Sequence, residues 1–352
     1  MNKLFSILGT SLLLSFGFTS CISTETVESP APQESDEITL LLNTEEVAGT
    51  KAGENHDGHF LRYVAKLFKL SGNDITSSMI PVRQELKASD GDNSITFKVD
   101  PNSTYKIIVF ADYIPESSLP GDDGTYEDFY YDTHADNEYV SVKTDESNLA
   151  RLINNDNLDF FCTDAIKINK TEEKVEQNIT LKRVTSKIRF VAKVGNDTEA
   201  DPQATVTISK FDQKGKINTN MVSAPKNTNA ASLLSKQTYS LTNEKVAENE
   251  LELFYFYTFA QISSQELSEF EFTVNLSDGT LKKVTIPTGK ITYSRNYITT
   301  VKGAFIPSSN DDNPGTGDDG PGESEDHTGD IVLNLTTDQN WSGNQDFEFA
   351  VE

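Results

Sequence analysis

Apolar residues in this chain recur at every second position, in one short run after another from Ile38 to Phe305. Ser94–Val99 puts Ile95, Phe97 and Val99 on one face, and Lys187–Val194 does the same with Ile188, Phe190 and Ala192. A period of two is the signature of strands with one buried face. Thr104–Ala111 is apolar at consecutive positions (Ile107, Ile108, Val109, Phe110), as expected of a strand covered on both sides. Further strands are expected at Ile38–Leu42, Phe60–Leu70, Met79–Leu86, Tyr139–Lys143, Phe160–Ile168 and Val175–Lys182. In the second half they are expected at Thr205–Phe211, Thr238–Leu241, Leu251–Phe259, Glu269–Leu276, Lys282–Pro287 and Tyr297–Phe305. Asp100-Pro101-Asn102-Ser103 and Ser277-Asp278-Gly279-Thr280 carry turn chemistry, the second as a hairpin. Pro115–Asn137 reads as a long loop, and helical character is confined to short stretches near Glu146–Ile153 and Ala230–Lys236. The expected fold class is all-β.

The N-terminus has a separate logic. Lys3 precedes an uncharged apolar run, Leu4 to Phe18, followed by Phe18-Thr19-Ser20-Cys21. A basic start, a short apolar stretch and small residues before a cut make a secretory signal. The run is too short to span a bilayer, which needs roughly 20 residues. Small residues just before a cysteine are similar to the bacterial lipobox. Residues 1–21 are therefore expected to be a lipoprotein signal peptide, with Cys21 acylated (palmitate among its chains) and held at a membrane surface. Each buried acyl CH₂ contributes about 0.8 kcal/mol to such an anchor. Residues 22–36, rich in Ser, Thr, Glu, Pro and Gln, read as a tether.

Composition narrows the function classes. The formal net charge is −25, and loss of Lys3 with the signal makes it −26. Such a body repels phosphate backbones, so no nucleic acid is expected as partner, and membrane contact is expected through the lipid alone. With Cys21 acylated, Cys162 stands by itself in Phe160-Phe161-Cys162 and reads as a small buried hydrophobe.

No catalytic motif is present: there is no Gly-x-Ser-x-Gly, P-loop or dinucleotide fingerprint. The chain is expected not to be an enzyme and to need no cofactor. His56-Asp57-Gly58-His59 lacks a third ligand nearby and reads as a polar loop rather than a metal site. Asp122-Asp123-Gly124-Thr125-Tyr126-Glu127-Asp128 is dense in carboxylates but lacks EF-hand spacing, so a solvated loop is expected over a Ca²⁺ site. Tyr126, Phe129, Tyr130 and Tyr131 form a candidate ligand loop, which as a sugar-stacking platform would make the chain a surface glycan-binding lipoprotein. The scarcity of Trp, with Trp341 alone, weighs against that.

Residues 307–330 are Asp, Asn, Gly, Pro, Ser and Glu, an acidic linker by composition. Beyond it, in 331–352, alternation returns: Ile331, Leu333 and Leu335, then Phe347, Phe349 and Val351. A strand set off by such a linker either completes its own sheet or donates itself to another chain's, and these six residues are the candidate donor strand.

Several segments together resemble the fimbrillin-like lipoproteins of Bacteroidales. They are Phe160-Phe161-Cys162-Thr163-Asp164, then Asn178-Ile179-Thr180-Leu181-Lys182-Arg183 running into Val184–Phe190. Arg62–Phe68, Tyr105–Asp112 and Asn296–Gly303 are similar to that family's strands as well. The resemblance implies two transthyretin-like β-sandwich domains in tandem, 37–182 and 183–306. It also implies a place at the outer membrane, in a fimbrium or pilus, with other fimbrial subunits or further copies as partners and a host or glycan receptor in reach. Assembly in such subunits is by strand addition, after a protease cuts beyond the first strand. Lys51 and Arg62 are the candidate processing residues. Stalk, tip and anchor roles stay open.

Overall fold

The computed structural model describes residues 36–44, 56, 58–76, 78–88, 93–134, 139–143, 151–170, 174–194, 201–210, 215–218, 227–228, 237–306, 334–338 and 346–349. The described residues are all-β apart from one 3₁₀ turn at Asp156–Leu158. In chain order the strands begin β1 (Glu37–Thr44), β2 (His59–Lys69), β3 (Val82–Lys87), β4 (Ser94–Lys98), β5 (Thr104–Pro115), β6 (Tyr131–Asp132), β7 (Tyr139–Val142) and β8 (Phe160–Cys162). They continue with β9 (Ile166–Asn169), β10 (Lys174–Arg183), β11 (Thr185–Lys193), β12 (Thr205–Lys210), β13 (Lys216–Asn218), β14 (Asn227–Thr228), β15 (Gln237–Ser240) and β16 (Glu244–Ala247). The last are β17 (Glu250–Phe259), β18 (Gln265–Glu266), β19 (Phe270–Asn275), β20 (Leu281–Ile286), β21 (Thr292–Tyr293), β22 (Ile298–Gly303), β23 (Asn334–Asp338) and β24 (Asp346–Phe349).

One sheet runs β3-β2-β5-β8-β10-β1-β4, with β9 also on β5. Its two edges come together where the Gln84 side chain donates to the Thr96 carbonyl at 2.9 Å. The sheet thus curls around an apolar cluster that includes Ile38, Leu40, Leu61, Tyr63, Phe97, Val109 and Leu181. The opposite faces of β2 and β5 bear Val64, Phe68, Ile108 and Phe110. These join a second cluster with Phe190, Phe254, Phe270 and Phe272 of the later sheets. Those sheets run β16-β17-β11-β22-β23-β24 and β15-β12-β19-β20. Burial on both faces is why β2, β5 and β17 read as near-continuous apolar runs. Gly303 lies flat beneath Phe305, where a Cβ would stand 2.7 Å from the ring.

The two halves are stitched together. β10 passes into β11 with only Val184 between them, and the Val184 N–H donates to Phe160 O while its carbonyl accepts from Ala260 N–H. Arg183 ends β10 nearly buried and grips Asp159 through Nε (2.7 Å) and Nη2 (2.7 Å). Its Nη1 reaches the Asn296 side-chain oxygen at 3.1 Å. Asn296 presents that oxygen from a left-handed backbone (φ 64°), a conformation asparagine tolerates. Farther along, β7 of the first half pairs with β13 of the second.

Several expectations need correction. Phe160–Ile168 is two strands, β8 and β9, laid along different stretches of β5 with a step at Thr163–Ala165. Met79–Leu86 begins as strand only at Val82, because Pro81 has no N–H to give to a ladder. The loop 115–137 contains β6, formed because Tyr131 is pinned in the core with its hydroxyl donating to Leu158 O. β13, β16, β18 and β21 escaped the sequence because two to four residues show no period. The Asp278-Gly279 hairpin is present, with Gly279 at φ 89°. The stretch near Ala230–Lys236, most of Glu146–Ile153 and the linker 307–330 lie outside the described residues.

Candidate strand-acceptor slot and aromatic loop

β1 occupies an interior slot. It pairs in parallel with β10 and antiparallel with β4, so both of its edges are hydrogen-bonded. Alternation turns Ile38, Leu40, Leu42 and Thr44 inward, all buried. Burying each of the three aliphatic side chains is worth about 2 kcal/mol. At the head of the strand the Asp36 carbonyl accepts from Val99 N–H at 3.0 Å. The Asp36 carboxylate lies 3.0 Å from Lys170 Nζ. Lys170 is 1 % exposed, and its amine is close enough to Asp36 for an ion pair but too oblique for a hydrogen bond. Lys51 lies outside the described residues.

Arg62 has no exposed surface, so as folded it offers a protease nothing. Its five N–H donors make five hydrogen bonds. Two go to Asp112 (2.9 and 2.8 Å), and one each to Glu85 (3.2 Å), Asp128 (2.9 Å) and Tyr126 O (3.3 Å). Burial opposes the guanidinium charge, but Asp112, Glu85 and Asp128 reverse this and hold Arg62 above its ordinary pKa. Arg83 bonds Glu85 and Thr133 alongside. Asp128 also accepts from Thr133 Oγ1 and lies 2.8 Å from His134 Nδ1. This network clamps residues 126–134 onto β2, β3 and β5.

The clamp decides where the aromatic loop points. Tyr130 and Tyr131 are buried, with the Tyr130 hydroxyl 3.0 Å from His59 Nε2. Phe129 is half-buried with the Arg151 guanidinium 4.7 Å from its ring centre, and Tyr126 is half-buried against Phe60. Of the four rings only Tyr126 and Phe129 keep surface for a ligand. Tyr126 borders an open cavity of about 680 Å³ with Leu119, Asp132, His134 and Lys143. Two of the carboxylates nearby are bonded within the loop: Asp123 accepts from Thr125 N–H (3.0 Å) and Oγ1 (2.7 Å), and Asp132 from His134 N–H (3.1 Å). Among the described residues no three His, Cys, Asp or Glu side chains converge as ion ligands. His56 stacks on Tyr113, ring centres 3.8 Å apart. Cys162 is buried, which pushes its thiol well above the ordinary range.

The Asp128 carboxylate yields a pH prediction. Burial alone would raise it, but the His134 hydrogen bond, the Arg62 charge and the Thr133 N–H hold it well below the usual carboxylate range. A depressed folded value means its stabilisation is present above the unfolded value of about 3.9 and is lost as pH falls toward the folded one. The melting temperature should therefore drop below about pH 4, with a shallower drop in Asp128→Asn, which lacks the titration. Equal slopes would remove Asp128 from the acid response.

Of the terminal strands, β23 pairs antiparallel with β22 (Val301 opposite Leu335), and β24 pairs with β23 (Leu335 opposite Phe349). Leu335, Phe347 and Phe349 therefore extend this chain's own sheet. Cys21, Ile331, Leu333, Trp341 and Val351 lie outside the described residues. Among the described residues no helix is long and apolar enough to cross a membrane. In the sequence, Asp112, Arg183 and Asn296 fall within segments that carry the family resemblance, whereas nothing there points to the slot, Asp36–Lys170 or Asp159.

Among solved structures, the chain is similar to the fimbrial anchor protein Mfa2 from Porphyromonas gingivalis at 10% identity and TM-score 0.38, covering 76% of this chain and 90% of that one. A fimbrial assembly protein from Parabacteroides distasonis gives 10% and 0.36, over 90% of this chain and 99% of that one. A candidate adhesin from Bacteroides ovatus gives 11% and 0.42, over 71% and 77%. No curated protein matches it. A model of a family of unknown function, DUF6562, matches residues 30–346, ending on the first residue of β24. The chain belongs to the DUF6562 family.

Proposed function

We propose that this chain is a lipid-anchored cell-surface subunit of fimbrial type that assembles with other subunits by β-strand addition. The observation that carries the proposal is the β1 slot. The chain joins β1 to the later strands only through the segment that follows it, yet β1 sits between two strands and fills a row of inward pockets. Cutting the connection that holds Lys51 would free β1 to leave. The vacated groove would expose unpaired N–H and C=O groups to an incoming strand. The lipobox at Cys21 anchors the chain until that cut, after which the lipid stays with residues 21–44, and the acidic, strand-rich body projects from the surface as two domains, 37–182 and 183–306. The buried Tyr130 and Tyr131 weigh against the stacking-platform reading.

Electron microscopy of cells with and without this chain tests the proposal, together with mass analysis of the mature N-terminus. The expected result is surface filaments that shorten, vanish or detach on deletion, and an acylated Cys21 on the chain that has not been cut after β1. Unchanged surfaces and an unmodified N-terminus would overturn it.

A further inference from the structure

The turn that leads into β2 is held down by a histidine whose surroundings suit it only without charge. His56 and His59 close the turn: the His59 N–H donates to His56 O at 2.7 Å, and the carbonyl of Gly58 (φ 74°) accepts from Glu116 N–H at 2.7 Å. The half-buried His56 ring lies on the buried Tyr113 of β5, ring centres 3.8 Å apart. The charged and titratable groups around the ring are Asp156 and Asp159 at the 3₁₀ turn, Arg183 of β10, His59 of β2 and Tyr113 itself. Both carboxylates are already engaged. Asp159 holds Arg183 and the Thr185 hydroxyl, and Asp156 holds Lys187 Nζ (2.7 Å) and the Tyr257 hydroxyl (2.8 Å). Burial is the largest influence on the ring and holds its pKa below the ordinary 6.5, outweighing the pull of Asp159 and Asp156, while the Arg183 charge works in the same direction as burial.

We propose that His56 is a proton-operated latch: its uncharged ring locks the 56–59 turn onto β5, and taking up a proton lets the turn go. His59 does not share the task. Its Nε2 lies 3.0 Å from the Tyr130 hydroxyl, which can accept from a charged ring as well as donate to a neutral one. For His56 the docked ring resists the proton and the undocked ring, near 6.5, takes it. The latch is therefore at full strength above about pH 6.5 and weakens as pH falls, by at most about tenfold per unit. The purpose of the latch rests on the strand-addition reading. His56 follows the connection that carries Lys51, so acid would favour the cut that frees β1.

The test is amide hydrogen exchange on the full mature chain between pH 8 and pH 5, with the intrinsic pH dependence of exchange divided out. Protection of the His59 and Glu116 amides is expected to hold down to about pH 6.5 and then to fall by at most about tenfold per unit, while the middle of β5 stays protected. In His56→Phe, which keeps a ring but cannot take a proton, the same two amides should stay level throughout. Level protection in the parent overturns the latch. So does a fall shared by the middle of β5, which is unfolding of the whole, and so does an equal fall in the variant, which assigns the proton to another group. Should the variant fail to fold, the His56 ring signal of the parent decides by NMR. A titration midpoint below 6.5 is expected, and one at or above 6.5 overturns the proposal. None of these measurements involves a second copy or the lipid, so the latch can fail while strand addition stands, and the reverse.

Discussion

Replacing Arg62 by methionine is expected to destabilise the fold by about 3–5 kcal/mol in chemical denaturation, the cost of breaking a buried ion network from one side. The side chain is fully buried, and its loss strands Asp112, which is 1 % exposed and has Arg62 as its bidentate partner. Asp128 and Glu85 lose a donor as well. Much of the penalty is the uncompensated charge rather than the lost bonds. Arg62→Met/Asp112→Leu should therefore be less destabilised than Arg62→Met by itself. A single variant within about 0.5 kcal/mol of the parent would mean that Arg62 is solvated after all.

Arg183→Met should cost a similar amount, about 3–5 kcal/mol, with a different signature. Asp159 is 3 % exposed and is held by Arg183 together with the Thr185 hydroxyl at 2.7 Å. Through Asn296 the same guanidinium reaches the approach to β22. The bonds radiate from the point where β10 becomes β11, so their loss weakens the joint between the halves more than either core. Calorimetry should show the parent melting in one transition and the variant in two, or in one broadened transition. A variant that melts as sharply as the parent at an unchanged temperature would deny Arg183 this role.

These two arginines also mark where single-sequence reading stopped. The strand period, the doubly buried β5 and the Asp278-Gly279 turn were legible because they depend on neighbours a few residues apart. Arg62 was not, because in sequence it looks like a basic residue opening a strand and so like a cleavage point. Its partners Glu85, Asp112 and Asp128 come from β3, from β5 and from the loop after β5. The aromatic loop failed for the same reason. Tyr130 and Tyr131 sit among glycines and acids that suggest exposure, and only the folded contacts to His59 and Leu158 take them inside.

The central claim of the proposed function is that β1 leaves its slot and a strand from another copy takes its place. Thr39 lies opposite Thr96 of β4, with the two hydroxyl oxygens 3.0 Å apart, and setting Ile331 and Leu333 of the candidate donor strand on Ile38 and Leu40 puts Val332 on Thr39. A chain carrying Thr96→Cys and Val332→Cys should therefore form disulfides between copies on the cell surface, giving a ladder on non-reducing gels. Cys162 is buried and adds no background. A ladder that collapses on reduction, and is absent from either single variant, is the predicted result. Monomers only, or links formed solely within one chain, would contradict the account.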